Sequence, residues 1–294
     1  MGVQLADLLN IYDLQLMESE ENIELLPGSL NKQSGNFLYW LKSAKYYSMF
    51  TEGYILLKEE DYSSAKSQKG LNPKLKHLIV RDHTPRFVFG SILSTWFSAR
   101  EIQIENCVHE HFSRTDIQIG DNVYIGADVT IGAGTIIYPG AVIHNGVRIG
   151  ENCEIREHTS IGTAGLGFER INGELHKFPQ IGGLIIEDEV LIGAHSSIKR
   201  GALDDTILRR GSKLGSYINI GHNCDIGENA MFTCQCVVSG SSVVGSGLFM
   251  GVGATIRNGV QLGSDVTIGQ GAVVVKNFGD GITLVGNPAK PLKK

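Results

Sequence analysis

No stretch of the sequence approaches the roughly 18 uninterrupted apolar residues that a membrane-spanning helix needs. Positive charge is not clustered either, because 26 Lys and Arg residues are scattered among 31 Asp and Glu residues and the net charge is -5. A protein that binds nucleic acid or an anionic membrane usually carries a patch of clustered basic residues. The even distribution of charge here argues against binding to a nucleic-acid duplex. The first residues, MGVQLAD, lack the basic and then apolar pattern of a signal peptide, and we expect a cytoplasmic protein.

Cysteine is scarce and odd in number, which argues against a disulfide framework. The five are Cys107, Cys153, Cys224, Cys234 and Cys236. They stand among alternating apolar and small residues, so we expect reduced thiols in a core. Cys234 and Cys236 would point to one face of a strand, and a metal-binding pair is the alternative to two small buried side chains.

Apolar residues recur every six positions over most of the chain. They do so from Ile119 to Ile161, again from Ile186 to Ile198, and in a shifted phase from Leu208 to Val274. Small or β-branched residues stand two positions before most of them, and glycine follows many of them. Short strands that form the sides of a flat-sided coil fit a period of six, whereas a helix does not. Large residues would stack inside, with small residues at the corners and glycines where turns need special dihedral angles.

This repeat resembles that of the hexapeptide transferases, which are left-handed parallel β-helices. In that family three hexapeptides make one coil of about 18 residues. The resemblance implies a mainly β protein, a left-handed parallel β-helix preceded by a small α/β N-terminal domain. The left hand is taken from the family, because the general crossover rule favours the right hand.

The sequence divides into three parts, with two interruptions of the repeat. Residues 1–100 predict the α/β domain, residues 101–278 the β-helix, and residues 279–294 a tail along the acyl-donor groove. Residues 163–183 break the period with glycine, proline and polar residues, so we expect an external loop with a functional role. Residues 201–206 shift the phase, which predicts a bulge in one coil.

Local patterns within the α/β domain predict its elements. Residues 36–41, 52–57 and 77–80 are typical of short strands, and residues 86–97 carry apolar side chains at helical spacing. Its aromatic residues are expected in a core, with stacking on a planar base as the alternative.

His222 is the strongest catalytic candidate. It stands two residues after the core position Ile220 and two before the corner residue Cys224, which points its imidazole outward near a corner. An imidazole, whose ordinary pKa is near neutrality, can take the proton from an attacking amine or hydroxyl as a general base. A surface histidine without a role is the alternative, since the chain has nine.

Gly240 stands one coil beyond His222, about 5 Å away at strand-to-strand spacing. A glycine there leaves the backbone N–H open to an acyl carbonyl, which an oxyanion donor beside a base requires. Asn258 and Gly259 come a second coil on. This site is a groove that needs another wall, and the flat sides of the coil favour a neighbouring subunit. We therefore predict a cyclic homotrimer with three shared sites.

The remaining histidines are weaker candidates. His144, His158 and His195 are in external positions where a substrate contact is one interpretation. His109 and His111 alternate on one strand face, but the local sequence supplies no further metal ligands. We predict no metal site.

Four motifs resemble those of the UDP-3-O-acylglucosamine N-acyltransferases of lipid A synthesis. They are GTAGLGF (162–168), HKFPQIG (176–182), RGALDDT (200–206) and IGHN (220–223), in the order of the family. The resemblance extends over nearly the whole chain. It implies a homotrimeric left-handed β-helix, an N-terminal domain that recognises uridine, and an acyl donor bound between subunits.

The resemblance also implies roles for single residues. His222 matches the catalytic base, and Gly240 matches the glycine whose N–H holds the thioester oxygen. Trp40 matches an aromatic residue stacked on uracil, and Tyr46 lies near the phosphates. The predicted substrate-binding residues are Trp40, Ser43, Tyr46, Asn223, His144 and Phe168.

Other positions depart from that family. Gly259 stands where the family has a second histidine, Gly215 and Lys199 where it has Asp, and Ser43 where it has an Asn that contacts uracil. The change at Ser43 leaves a dTDP-linked sugar open beside a UDP-linked one.

The segment GNPAK (286–290) is similar to a loop of acetyl-CoA-dependent sugar and serine acetyltransferases that lies along the coenzyme. The lipid enzymes instead continue into helices that receive acyl carrier protein, and this sequence stops before them. We therefore expect acetyl-CoA as the donor, with acyl carrier protein as the alternative. The predicted cofactor-binding residues are Gly240, Gly259, Gly286, Pro288 and Lys290.

Three functions remain open from the sequence. The first is N-acylation, most simply acetylation, of an amino group on a nucleotide-linked sugar, with His222 as the base. The second is the lipid A enzyme itself, using a 3-hydroxyacyl carrier protein. The third is a noncatalytic β-helix scaffold, which the missing second histidine permits and which the pair of His222 and Gly240 argues against.

Overall fold

The protein is described by a computed structural model over residues 2–18, 23–29, 35–97 and 116–292, with the backbone alone at residue 69. The chain forms two compact units. Unit 1 comprises Met1–Ala99 with Leu166–Pro179, and unit 2 comprises Arg100–Gly165 with Gln180–Lys294. The middle of the expected loop 163–183 thus belongs to unit 1, while both of its ends belong to unit 2. Cys107, His109 and His111 lie outside the described residues.

Unit 1 is built on a six-stranded sheet in the order β1-β3-β4-β5-β6-β2. Its strands are β1 (Val3–Gln4), β2 (Gln15–Leu16), β3 (Glu24–Pro27), β4 (Phe37–Trp40), β5 (Gly53–Leu57) and β6 (Leu75–Ile79). The central strands β3 to β6 are parallel, and the outer strands β1 and β2 pair antiparallel. Every residue of β5 is buried, as expected for the interior of a parallel sheet covered by helices.

Three helices and one short hairpin complete unit 1. The helices are α1 (Leu5–Ile11), α2 (Glu59–Lys69) and α3 (Pro85–Ile92), and α3 continues into a π-helical turn at Leu93–Phe97. A 3₁₀ segment, Ala44–Met49, follows β4. Thr84 caps α3 by accepting the Phe87 N–H at 3.1 Å. In the described ranges, every helix is too short or too polar to cross a bilayer.

Unit 2 is a parallel β-helix with three flat faces, and its short strands stack in register from coil to coil. Face 1 contains β7 (Gln118–Ile119), β10 (Ile136–Ile137), β13 (Glu154–Ile155), β18 (Leu191–Ile192), β21 (Lys213–Leu214), β24 (Met231–Phe232), β27 (Phe249–Met250), β30 (Thr267–Ile268), β32 (Thr283–Val285) and β33 (Lys290–Pro291). Face 2 contains β8 (Tyr124–Ile125), β11 (Val142–Ile143), β14 (Ser160–Thr163), β19 (Ser197–Lys199), β22 (Asn219–Ile220), β25 (Val237–Val238), β28 (Thr255–Ile256) and β31 (Val273–Val274). Face 3 contains β9 (Thr130–Ile131), β12 (Val147–Ile149), β17 (Leu184–Ile186), β20 (Thr206–Leu208), β23 (Asp225–Ile226), β26 (Val243–Val244) and β29 (Gln261–Leu262). Strands β15 (Phe168–Ile171) and β16 (Glu174–Lys177) are not part of the β-helix; they pair antiparallel and form the hairpin of unit 1.

The hexapeptide pattern fills the centre of this coil with one continuous apolar core. On face 2, Ile198, Ile220, Val238 and Ile256 stack directly in register, and each is at most 1% exposed. Burying a side chain of this size contributes about 1.5–3 kcal/mol. The prediction of a hexapeptide β-helix is confirmed.

Small polar residues at the corners bond to the backbone of the next coil. Thr135 donates its hydroxyl to the Gly150 carbonyl at 2.9 Å, and Ser212 donates to the Gly227 carbonyl at 3.0 Å. Both side chains are fully buried. A larger residue would not fit, and an alanine would leave the carbonyl without this partner.

The recurrent glycine after a core residue has a different cause from the one expected. A Cβ added at Gly193, Gly227 or Gly245 would lie 2.4 Å from a backbone carbon of the next coil. None of these three has a positive φ, so the requirement is close stacking of the coils and not a special dihedral angle.

The two interruptions occur where the sequence predicts them. The chain leaves face 2 after β14 and returns at β17, having contributed the hairpin to unit 1 in between. Between β19 and β20 the corner is enlarged to residues 200–205, where most other corners have four residues. We call residues 200–206 the corner bulge.

Candidate functional site

His222 lies in the four-residue corner between β22 on face 2 and β23 on face 3. We call this the His222 corner. The imidazole is half-buried, and its Nδ1 lies 2.9 Å from Oδ1 of Asn223. The side chain therefore projects outward, as its place in the hexapeptide predicts. Its Nδ1 is already hydrogen-bonded to Asn223.

Asn223 fixes the proton on that imidazole. Its Oδ1 also accepts the Ala202 N–H at 2.9 Å, and its Nδ2 donates to the Asp204 carbonyl at 3.1 Å. These bonds determine which end of the amide is the oxygen. Since Oδ1 faces His222, Nδ1 must carry the hydrogen, and Nε2 keeps the lone pair that a general base needs.

The corner bulge is what holds Asn223 in place. Besides Ala202 and Asp204, it supplies Thr206, whose hydroxyl accepts the Asn223 N–H at 2.8 Å. Asn223 has φ +57°, a left-handed conformation that asparagine tolerates well. The sequence predicted only a substrate contact for Asn223. Its second role, orienting His222, depends on the corner bulge, and the hexapeptide repeat does not predict the backbone path of that bulge.

Gly240 lies directly above the imidazole. Ile220 pairs with Val238 between β22 and β25, so His222 and Gly240 occupy equivalent positions of consecutive coils. A Cβ at Gly240 would lie 2.7 Å from Nε2 and 2.9 Å from Cε1 of His222. Only glycine leaves Nε2 open at this position.

The peptide bond before Gly240 is held so that its N–H faces away from the core. The Ser239 carbonyl lies 2.8 Å from the Ser242 hydroxyl and 3.4 Å from the Cys224 thiol, and both of those side chains are fully buried. In a trans peptide the N–H points opposite to the carbonyl. Within the described part of the chain, the Gly240 N–H has no hydrogen-bond partner.

The far side of Gly240 is fixed by the next coil. Its carbonyl accepts the Gly259 N–H at 3.0 Å and a hydrogen bond from the Asn258 side chain. Gly259, a predicted donor-binding residue, thus lies in the same column of corners as His222 and Gly240, one coil beyond Gly240. This column of corners places Nε2 of His222 beside the Gly240 N–H, which has no partner among the described residues, and acyl transfer uses such an arrangement.

The two ends of the interruption 163–183 reach this corner from below. A Cβ at Gly165 would lie 2.9 Å from Cδ2 of His222 and 3.3 Å from Oε1 of Gln180. Gln180 is 2% exposed. The repeat does not place residues inside an interruption, so the sequence did not identify either residue as part of the site.

His144 lies in the same column of corners but lower in the stack. Ile143 is three coil steps below Ile220, which is about 14 Å at strand spacing. The His144 Nε2 lies 3.4 Å from the Ser160 hydroxyl. Burial lowers the pKa of His144, and the positive charges of Arg200 and Lys199 lower it further, so the neutral form is favoured.

The predicted donor residues of the tail lie in a hairpin that closes the last coil. Gly286 follows β32, and Lys290 begins β33. The Ala289 N–H bonds to the Val273 carbonyl at 2.7 Å, and the Val273 N–H bonds to the Gly286 carbonyl at 3.0 Å. Gly286, Pro288 and Lys290 thus lie on the end of the coil, beside β31, and are not in the corner that holds Gly240.

The predicted nucleotide-binding residues lie in unit 1. Trp40 ends β4, Ser43 precedes the 3₁₀ segment, and Tyr46 is on that segment with 37% of its surface exposed. The Arg86 guanidinium lies 5.8 Å from the centre of the Trp40 ring. Phe168 begins the β15–β16 hairpin of the same unit and is 43% exposed.

The remaining candidates form no metal centre. His158, His195 and Tyr217 stack as exposed rings along the corner between faces 1 and 2, with successive centres 5.3 Å apart. Cys236 is fully buried as predicted, but Cys234 is exposed, because the two stand in a corner and not on a strand. Across the described ranges, no three His, Cys, Asp or Glu side chains are grouped so that they could hold a metal ion.

Family models match two parts of the β-helix. Residues 128–163 match the bacterial transferase hexapeptide (six repeats), and residues 242–276 match the hexapeptide repeat of succinyl-transferase. Among solved structures, LpxA of Acinetobacter baumannii superposes with a TM-score of 0.55 at 28% identity, over 61% of this chain and 68% of that chain. The fold is a parallel β-helix of hexapeptide repeats, similar to that of the LpxA structure.

Curated relatives narrow the resemblance further. The UDP-3-O-acylglucosamine N-acyltransferase of Caulobacter sp. (strain K31) is 34% identical over 145 residues, 49% of this chain and 43% of that protein. The enzyme of the same name from Campylobacter lari is 38% identical over 119 residues, 40% of this chain and 37% of that protein. The matches therefore span less than half the length of these relatives. The resemblance to UDP-3-O-acylglucosamine N-acyltransferases that the motifs predict is confirmed over 40–49% of this chain, where the motifs predicted nearly all of it.

Proposed function

We propose that this protein transfers an acyl group from a thioester to the amino group of a nucleotide-linked sugar, in the His222 corner. The observation that carries the proposal is the fixed proton of His222. Asn223 holds a hydrogen on Nδ1, so in the neutral ring Nε2 carries the lone pair; it lies against Gly240, whose N–H has no hydrogen-bond partner among the described residues.

The reaction follows from these groups. Nε2 of His222 takes a proton from the sugar amine as its nitrogen forms a bond to the thioester carbonyl carbon. The carbonyl oxygen becomes an oxyanion, which the Gly240 N–H stabilises by a hydrogen bond. The tetrahedral intermediate then expels the thiolate, which takes up the proton from His222, and an amide is formed. No covalent enzyme intermediate is needed.

The acceptor that the relatives favour is UDP-3-O-acylglucosamine, since that is the substrate in the name of the curated matches. This differs from the first expectation of a short-chain acetylation. We therefore place the lipid A precursor first, with a 3-hydroxyacyl carrier protein as donor. The homotrimer, the cytoplasmic location, and the roles of Trp40, Ser43, Tyr46 and Phe168 remain predictions.

Acetyl transfer from acetyl-CoA to another nucleotide-linked amino sugar is the second candidate. The observation that favours it is the Gly286–Lys290 segment, which resembles a coenzyme-binding loop and closes the end of the same β-helix.

The test is a matrix of donors and acceptors. Purified protein is given 3-hydroxyacyl carrier protein or acetyl-CoA, each with UDP-3-O-acylglucosamine, other UDP-amino sugars and dTDP-amino sugars, and thiol release and amide product are measured. Amide from the lipid precursor and the carrier-protein donor supports the first candidate, and amide from acetyl-CoA with another sugar supports the second. The absence of product in every combination contradicts an enzyme and favours the scaffold. In the productive combination His222→Ala should lose the amide product, because the base between β22 and β23 is removed.

A further inference from the structure

Hydrogen bonds in unit 1 join the half-buried Glu18 to the buried His77 and Tyr47. His77 is 1% exposed, and its Nδ1 lies 2.5 Å from Oε1 of Glu18. Its Nε2 lies 2.7 Å from the Tyr47 hydroxyl, and its backbone N–H donates to Oε2 of Glu18 at 2.8 Å. We call these three residues the Glu–His–Tyr chain.

The chain has one consistent set of hydrogen-bond directions when the imidazole is neutral. Nδ1 of His77 then donates to the Glu18 carboxylate, and Nε2 accepts the Tyr47 O–H. The Tyr47 oxygen in turn accepts the Asn72 N–H at 3.2 Å. Every polar atom in the line is paired, and this fixes the rotation of both rings.

The chain ends on the segment predicted to bind the nucleotide. Tyr47 is in the 3₁₀ segment Ala44–Met49, next to Tyr46, and is 4% exposed while Tyr46 is 37% exposed. The start of the segment is fixed separately, because the Ala44 N–H donates to Oδ1 of Asp61 at 2.8 Å. The segment is thus held at Ala44 and at Tyr47; Ser43 directly precedes the first of these residues, and Tyr46 directly precedes the second.

We propose that the Glu–His–Tyr chain positions the segment Ser43–Tyr46 for binding of the nucleotide part of the substrate. A 3₁₀ segment makes few bonds of its own, and its geometry depends on what it packs against. The buried Tyr47 hydroxyl acts as the anchor, and the exposed Tyr46 is the side chain that is presented. This inference rests on the proposed function, since it assumes a nucleotide-linked substrate.

The variant that tests it is Tyr47→Phe, which removes one oxygen and keeps the ring. His77 Nε2 then loses its partner in a buried site, and the segment loses one anchor. We expect the KM for the nucleotide-linked acceptor to rise about tenfold, with kcat changed less than twofold. Glu18→Gln, at a less buried residue, should change KM in the same direction by a smaller factor.

Tyr62→Phe is the matched control. The Tyr62 ring packs edge-on against His77 with centres 5.2 Å apart, but its hydroxyl is not part of the chain. It should leave KM unchanged. Binding of UDP alone, followed by calorimetry, should show the same loss of affinity in Tyr47→Phe as the kinetics do.

The outcomes separate the inference from the function on which it rests. If the wild type binds UDP and Tyr47→Phe binds it equally well, the inference is wrong and the proposed function stands. A lower melting temperature with unchanged KM also overturns it, because the chain is then purely structural. If the wild type neither binds UDP nor acylates a nucleotide-linked sugar, both fail together.

Discussion

Replacing Gly240 by alanine would place a methyl group against the imidazole of His222. The added Cβ would lie 2.7 Å from Nε2, 2.9 Å from Cε1 and 3.0 Å from Cδ2 of His222. All three distances are shorter than a van der Waals contact, so the imidazole must turn away. It then loses its bond to Asn223 and its place beside the Gly240 N–H.

The magnitude follows from what is lost. A positioned general base contributes about 10²- to 10⁴-fold in rate, which corresponds to about 3–5 kcal/mol of activation free energy. The fold itself should tolerate the change, because Gly240 has no positive φ and the clash is with a side chain that can move. We expect the free energy of unfolding to change by about 1 kcal/mol or less.

The assay compares acyl transfer with thermal unfolding for Gly240→Ala and for Gly279→Ala. Gly279 is the matched control, because a Cβ there meets no atom within 4 Å and its φ is not positive. The control should keep both rate and stability. If Gly240→Ala retains activity within a few-fold of the wild type, the chemistry does not occur between His222 and Gly240, and the reasoning is refuted.

Three further predictions concern the rest of the β-helix. Burial raises the pKa of Cys224 to about 11, so its thiol stays protonated and unreactive at pH 9. Peptide mapping after alkylation of the native protein should find the label on the exposed Cys234 and none on Cys224. The pKa of His144 in the folded state lies below its ordinary 6.5, so the contribution of this group to the free energy of unfolding is largest above pH 6.5 and falls as the pH drops. His144→Gln should flatten the dependence of the free energy of unfolding on pH between 5 and 7, and an unchanged slope would contradict this. Ile220→Ala removes a fully buried side chain from the face 2 stack and should cost about 2–5 kcal/mol in chemical denaturation; a cost under 1 kcal/mol would mean that the stack collapses to fill the gap.

Much of the fold was predictable because a period of six is a strong signal. Both interruptions were predicted, and within unit 1 the strands β4, β5 and β6 and the helical run from α3 into the π-helical turn correspond to predicted segments. Helix α2 was missed, since it is almost wholly polar and, of its described side chains, only Ala65 is buried. The hairpin β15–β16 was missed because it lies within the interruption 163–183, where the spacing of six cannot be used to align one strand with another.

The candidate site was predictable in part. The repeat alone aligns His222 with Gly240, because residues one coil apart must stack. The repeat does not predict the hydrogen bonds between Asn223 and the corner bulge, because the bulge adds residues to one coil and breaks the spacing of six. Gly165 and Gln180 were missed for a similar reason, since they approach His222 from the ends of a long interruption. Side chains that meet through irregular backbone are defined only in three dimensions.

Single-turnover acyl transfer by His222→Ala tests the central claim most directly. The variant and the wild type are saturated with the donor and acceptor found in the substrate matrix, and amide formation is followed. The account predicts a rate lower by about 10²- to 10⁴-fold, with the affinity for the acceptor unchanged within about threefold. A variant that forms amide at the wild-type rate would show that His222 is not the base and would contradict the account.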